Sequence, residues 1–213
     1  MRSNTAACAA LLVVLLHPGA ALRADIIDRI LAVVSGGLIL QSDAMAAIRL
    51  GLVELPPAGD RVQGALDKLI ERRLMLVEVE RYRPPEPSDV DLDAGVAAMA
   101  KRIAGNDTLD AVLRETGFTS DQLRLYVRDE LRIRTYLQQR FGASLEPTDE
   151  EILEYYRAHE SQFARGGAVR PFGEVRDEAR AALIAERRAT LIREWLAGLR
   201  RRADVTVLYL PKG

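Results

Sequence analysis

The 213-residue sequence predicts a mainly α fold with a small β element, formed by an N-terminal hairpin and the C-terminal strand. Three observations carry that expectation. Apolar residues recur at three- and four-residue spacing through most of residues 62–202, the period of an amphipathic helix. Proline, glycine and capping residues punctuate those stretches where helices start and stop. β-type patterning is confined to residues 30–40 and 205–210, too little for a sandwich or an α/β fold.

The elements follow in order. Arg2, an uncharged apolar run over residues 6–16, the breaker His17-Pro18-Gly19 and the small Ala20 and Ala21 have the order of a secretory signal peptide. As a helix that run rises about 16 Å, roughly half of a bilayer core, so no permanent span is expected. Residues 1–21 are therefore read as a signal peptide, cleaved at Ala21 in preference to Ala24. Residues 30–34 and 38–40 flank Ser35-Gly36-Gly37 as a hairpin, and Ser42 opens a short helix that Gly51 ends. The next helix carries two stripes, one of Leu66, Leu69, Ile70, Leu74 and Val77, the other of Met75, Val79 and Tyr82, until Pro84 stops it. Ser88 opens a helix striped by Leu92, Val96, Met99 and Ile103, and a short one holding Val112 and Leu113 closes at Gly117. Thr119 with Gln122, and Thr148 with Glu151, make capping boxes for two more helices, the second read as running to Phe163. Residues 164–170 read as a linker. Pro171 begins a last helix to about Arg202, roughly 45 Å long at 1.5 Å per residue. An isolated strand is not stable, so residues 205–210 are expected to pair with the N-terminal hairpin.

Composition removes several functions. Thirty basic residues against 31 acidic ones leave a formal charge of −1, without the basic surplus that nucleic acid requires. Loss of the leader removes the sole cysteine, Cys8, and His17, so neither a disulfide nor a cysteine zinc site is expected. His159 is then the one histidine left, beside Tyr155 and Tyr156, which suits packing better than catalysis. The acidic groups Asp89-Val90-Asp91-Leu92-Asp93 and Asp149-Glu150-Glu151 stand at helix starts, where the helix dipole accounts for them. No phosphate loop, catalytic constellation, cofactor site or metal site is legible. The chain does not read as an enzyme.

Residues 28–43, from Asp28-Arg29-Ile30 to Gln41-Ser42-Asp43, resemble the opening of the SurA-type chaperones, with Ser35 where asparagine is common. Residues 66–76 are similar to that family's next helix, and residues 88–141 to its small helical domain, including Gly117-Phe118-Thr119 and Tyr126. The resemblance implies a helical chaperone core in which residues 22–163 are completed by residues 171–213. It also implies a parvulin-type prolyl-isomerase domain between those halves, where this chain has only seven residues, 164–170. A packed domain cannot be built from so few.

On that basis the expected function is an ATP-independent periplasmic holdase for unfolded or outer-membrane-protein clients, without isomerase activity. A dedicated assembly subunit for one exported partner is the alternative, and an active prolyl isomerase stands third. The adaptable methionines Met45, Met75 and Met99, with Val79 and Tyr82 from the second stripe, are the candidate client contacts. In a protease-coupled assay, the purified mature chain is expected to leave proline isomerisation at its uncatalysed pace of roughly tens to hundreds of seconds. Acceleration that scales with protein and survives repurification contradicts this reading.

Overall fold

The structure, a computed structural model, describes residues 28–104, 108–142 and 145–209. The expected signal peptide and Leu210 of the expected terminal strand lie outside the described residues. Strand β1 (Ile30–Val34) turns through Ser35 and Gly36 into β2 (Gly37–Leu40). Both turn residues are left-handed, with φ of 48° and 78°, as a two-residue hairpin of matching twist requires. Helix α1 (Gln41–Arg49) follows at once. Asp43 accepts the Leu40 N–H at 2.8 Å, and Asp28 accepts both the Ser42 N–H and its hydroxyl, so donors at the helix start are satisfied.

Helix α2 (Arg61–Tyr82) is capped by Asp60, which accepts from Val62 and Gln63 at 2.8 and 3.1 Å. Left-handed Arg83 and the prolines after it end the helix. Then come α3 (Asp89–Ala104), α4 (Leu109–Thr116) and α5 (Ser120–Phe141). The capping box of α5 is complete, Thr119 N–H to Gln122 Oε1 at 2.8 Å and Gln122 N–H to Thr119 Oγ1 at 3.1 Å. Helix α6 (Asp149–Ala158) uses the equivalent pair of Thr148 and Glu151. A 3-10 turn at Glu160–Phe163 leads into β3 (Ala164–Arg165) and β4 (Ala168–Val169). The 31-residue α7 (Phe172–Arg202) and β5 (Val205–Val207) are the last described elements.

The fold is mainly α with a small β element, as the periodicity predicts. Strand β5 lies antiparallel to β1, Thr206 opposite Val33, giving the order β2-β1-β5. The Leu208 and Tyr209 N–H groups both reach Leu31 O, at 2.8 and 3.0 Å, and Ser35 N–H reaches Asp204 O at 2.8 Å. The Tyr209 hydroxyl donates to Asp60 at 2.7 Å, tying the chain's end to the cap of α2.

Beneath this sheet lies one core, with Leu31, Val34 and Ile39 against Leu66, Ile70 and Leu74 of α2 and Leu199 of α7. Val79, Ile133 and Tyr136 extend it between α2 and α5. A separate cluster joins Ile152, Tyr155, Tyr156 and Phe163 to Val175, Ala179 and Leu183 on the first half of α7. Helix α7 therefore belongs to two cores, one at each end.

Two local expectations are revised. The helix read as reaching Phe163 stops at Ala158, where His159 takes φ −129° and ψ 29° and the backbone tightens into the 3-10 turn. Residues 164–170 are not a plain linker: Gly166 and Gly167, at φ 62° and 85°, close a small hairpin. Trp195 is only partly buried, so its truncation to alanine should cost less than the roughly 3–5 kcal/mol of a fully enclosed ring. Leu31→Ala, at a fully buried position, is expected to cost about 2–5 kcal/mol in chemical denaturation. Truncation after Phe163 removes α7 and β5 together and is expected to abolish the cooperative melt; a fragment melting with the full chain contradicts this closure.

Candidate functional site

Helix α5 has open space along two of its sides. On one, a cleft of about 480 Å³ lies between α3, α5 and the segment after α1, with Leu52, Val53, Met99, Val127 and Leu131 among its apolar walls. On the other, a cleft of about 450 Å³ lies between α5 and α7, with Ile133, Leu137 and Ile192 in its walls. Glu130 and Arg134 line both, so the two clefts flank the same stretch of α5 as the two limbs of a groove. Its rim alternates in charge: Glu54 and Arg102, Glu130 and Arg134, then Arg188. Gly95 is what lets α3 lie this close, because a Cβ there would stand 2.7 Å from Val127 Cγ1.

A cross-brace holds the groove floor. Arg72 of α2 is buried, with its guanidinium 3.9 Å over the Tyr126 ring, a bond to Tyr126 O at 3.1 Å and ion pairs to Asp129 and Glu130. The Tyr126 hydroxyl then donates to Leu52 O at 2.7 Å. Burial first, and the Glu130 charge second, push the Tyr126 phenol up to about 12, so it stays a donor at any physiological pH. Further along, buried Arg132 donates to Glu80 at 2.6 Å. Its Nε lies 3.2 Å from Glu86 Oε1 without hydrogen-bond geometry, so that N–H relies on charge alone. Arg128 grips Glu86 by two bonds, at 2.8 and 2.9 Å. The α2–α3 connection is thereby clamped to α5.

The expected client contacts do not converge. Met99 lines the groove, its sulfur 2.8 Å from the Arg102 guanidinium. Met75 packs partly buried beside the Val79, Ile133 and Tyr136 cluster. Val79 is fully buried against Ile133 and Tyr136, which corrects the expectation that the Met75–Val79 stripe lies open. The reason is that α2 is covered on two sides, by the sheet and by α5, leaving its surface turn to Val77 and Tyr82. Tyr82, 58% exposed, lines a different cleft, and Met45, 51% exposed, stands on α1 away from both. His159 stacks on Tyr155 at 4.2 Å and its Nδ1 lies 2.9 Å from Tyr155 O, a packing role. Arg72 and Arg132 were not singled out from sequence. The signal for Arg72 is its place between Leu69 and Leu76 on an apolar helical stripe, facing the Asp129-Glu130 pair.

No protein-family profile matches the chain, and no curated protein matches it in sequence. Among solved structures it is similar to one from work on a virulence factor and a periplasmic protein, two structurally related SurA-like chaperones of Campylobacter jejuni. That similarity has a TM-score of 0.56 at 13% identity and covers 85% of this chain and all of the other. The fold is SurA-like. Within this SurA-like fold, no helix among the described residues is long and apolar enough to cross a membrane.

The clamp has a pH signature. The hydrogen bond from Arg132 holds Glu80, and that from Arg128 holds Glu86, below the usual glutamate range. A depressed carboxylate pKa gives stability that is present above the unfolded value and lost as pH falls through the folded one. Burial instead raises Asp129, whose contribution runs the opposite way and partly offsets the loss. Denaturation midpoints are expected to decline below about pH 4.5, and Glu80→Gln with Glu86→Gln to flatten that acid limb. Val79→Ser is expected to cost roughly 2–4 kcal/mol at neutral pH.

Proposed function

We propose that this chain is an ATP-independent holdase chaperone of the periplasm, binding unfolded polypeptides, outer-membrane proteins among them, in the groove along α5. The observation that carries this reading is the pair of apolar-walled clefts that flank Glu130 and Arg134 on α5, in a SurA-like fold. Its walls are buried and half-buried apolar side chains and its rim carries both signs of charge, which suits weak contact with many different segments. Met99 can reshape to fit them. Met75 lies beneath this surface, and Tyr82 and Met45 offer outlying contacts.

In this proposal residues 1–21 are the export signal. Residues 22–163 and 171–213 are two halves of one chaperone core, and residues 164–170 replace an isomerase domain. Holding needs neither nucleotide nor turnover: a bound segment is withheld from aggregation for as long as it stays.

The experiment is paired light scattering and thermal melting. The mature chain is expected to suppress aggregation of two unrelated, chemically denatured proteins. Met99→Ser with Ile192→Ser should weaken that suppression while shifting the melt far less than Val79→Ser. Failure to protect either protein, or unchanged protection by the groove variant, contradicts the assignment of holding to this groove.

A further inference from the structure

A cleft of about 550 Å³ opens on the other side of α2, between the ends of α5 and α7 and the β1–β2 turn. It shares no lining residue with the groove along α5. One wall is aromatic and apolar: Tyr82 and Val77, both exposed, with Trp195 and Leu199. Behind it the rings run in sequence, Tyr82 to Tyr136 at 5.4 Å, Tyr136 to Trp195 at 5.7 Å, and Trp195 to Phe141 at 5.8 Å. Over these rings stands Arg140, its guanidinium 5.5 Å from both the Trp195 and Phe141 ring centres and 3.2 Å from the Tyr136 hydroxyl.

The charge of this cleft is unbalanced. Arg81, Arg140 and Arg202 line it against a single carboxylate, Glu78, which Arg81 already faces at 3.5 Å. Arg140 and Arg202 have no carboxylate partner among the described residues. The arginines that join the helices, Arg72, Arg124, Arg128, Arg132, Arg176, Arg180 and Arg187, are by contrast each paired with a carboxylate. Two unanswered guanidiniums beside an exposed aromatic wall leave a vacancy for negative charge and a ring together.

We propose that this cleft is a second peptide site, distinct from the groove, which takes an acidic segment carrying an aromatic side chain. The ring stacks on the wall of Tyr82 and Trp195, and the carboxylate meets Arg140 and Arg202. Planar guanidinium and planar carboxylate pair through parallel hydrogen bonds, and the neighbouring rings exclude water from that contact. The site adds selectivity to the proposed holdase: a client bearing such a segment is held at two points, and its release is slowed accordingly. Because no residue is shared with the groove, each site can fail without the other.

Trp195 is the sole tryptophan of the chain and lines the cleft, so its emission reports occupancy directly. The probes are acetylated, amidated peptides of alternating aspartate and phenylalanine, with asparagine and lysine versions as controls. The aspartate peptide should shift Trp195 emission saturably and lose affinity as salt rises. The asparagine peptide should bind about tenfold more weakly, and the lysine peptide should give no saturable shift. Arg202→Gln should lower affinity for the aspartate peptide by about tenfold. Arg202 has no side-chain partner among the described residues, so that variant keeps the test readable if Arg140→Gln disturbs the rings. Protection of denatured proteins without acidic aromatic segments should be unaltered in Arg202→Gln, which separates this site from the groove. Equal affinity for all three peptides, or an unchanged Arg202→Gln, overturns the proposal. So does a shift produced by phosphatidylglycerol vesicles where the aspartate peptide gives none, which marks a membrane contact instead.

Discussion

The pairing of β5 with β1 is the constraint on which the rest of the molecule depends. Alone, β1 and β2 are a two-stranded hairpin with one apolar face and no sufficient partner. The third strand completes the sheet, and the bonds from Leu208 and Tyr209 to Leu31 O and from Ser35 to Asp204 O fix its register. That register places the end of α7, and Leu199 with it, against Leu66, Ile70 and Leu74. Because α7 is continuous from Phe172 to Arg202, fixing one end also determines where the other presents Val175 and Ala179 to α6. The wall that α7 gives to the groove, Arg188 and Ile192, falls between those two anchored ends.

Charge does a different job from apolar burial here. The sheet and α2 are joined by aliphatic packing, which is indifferent to small changes of rotation. The seam between α2 and α5 is instead set by directional contacts: Arg72 on the Tyr126 ring and Arg132 on Glu80. Burying guanidiniums is costly unless their donors are engaged, so these arginines admit few alternative alignments of the two helices. The α6–α7 pair follows the same scheme with Arg176, Arg180 and Arg187 against Asp149, Glu146 and Glu151, although those pairs are exposed and contribute little each.

Much of this architecture was legible in the sequence because it is written in local patterns. Capping boxes at Thr119 and Thr148, the Ser35-Gly36 turn and the β-branched end of the chain each name their structure within a few residues. The hairpin at residues 164–170 was not legible, since strands of two residues are too short to show alternation. The site was less visible still. Periodicity says that Met75, Val79 and Tyr82 share a side of α2, but not whether α5 covers it; Val79 is enclosed and Tyr82 is bare. A groove is a relation between α3, α5 and α7, three stretches far apart in sequence, and no stripe on one helix reveals it. Met99 was reachable because it is both adaptable and on a half-covered helix, whereas Arg72 looks like any surface arginine until Tyr126 lies under it.

The meeting of Val33 with Thr206 has a consequence for the order of events during synthesis. Contacts between residues so distant in sequence require a long loop to close before they return any stabilisation, which raises contact order and slows folding. The sheet that seals the main core lacks its third strand until Val205–Val207 have been made. Up to that moment the faces of Leu31, Val34, Leu66 and Ile70 are uncovered, and such surfaces are aggregation-prone. Every new copy thus passes through a stage in which the faces destined for its own core are open to whatever lies nearby.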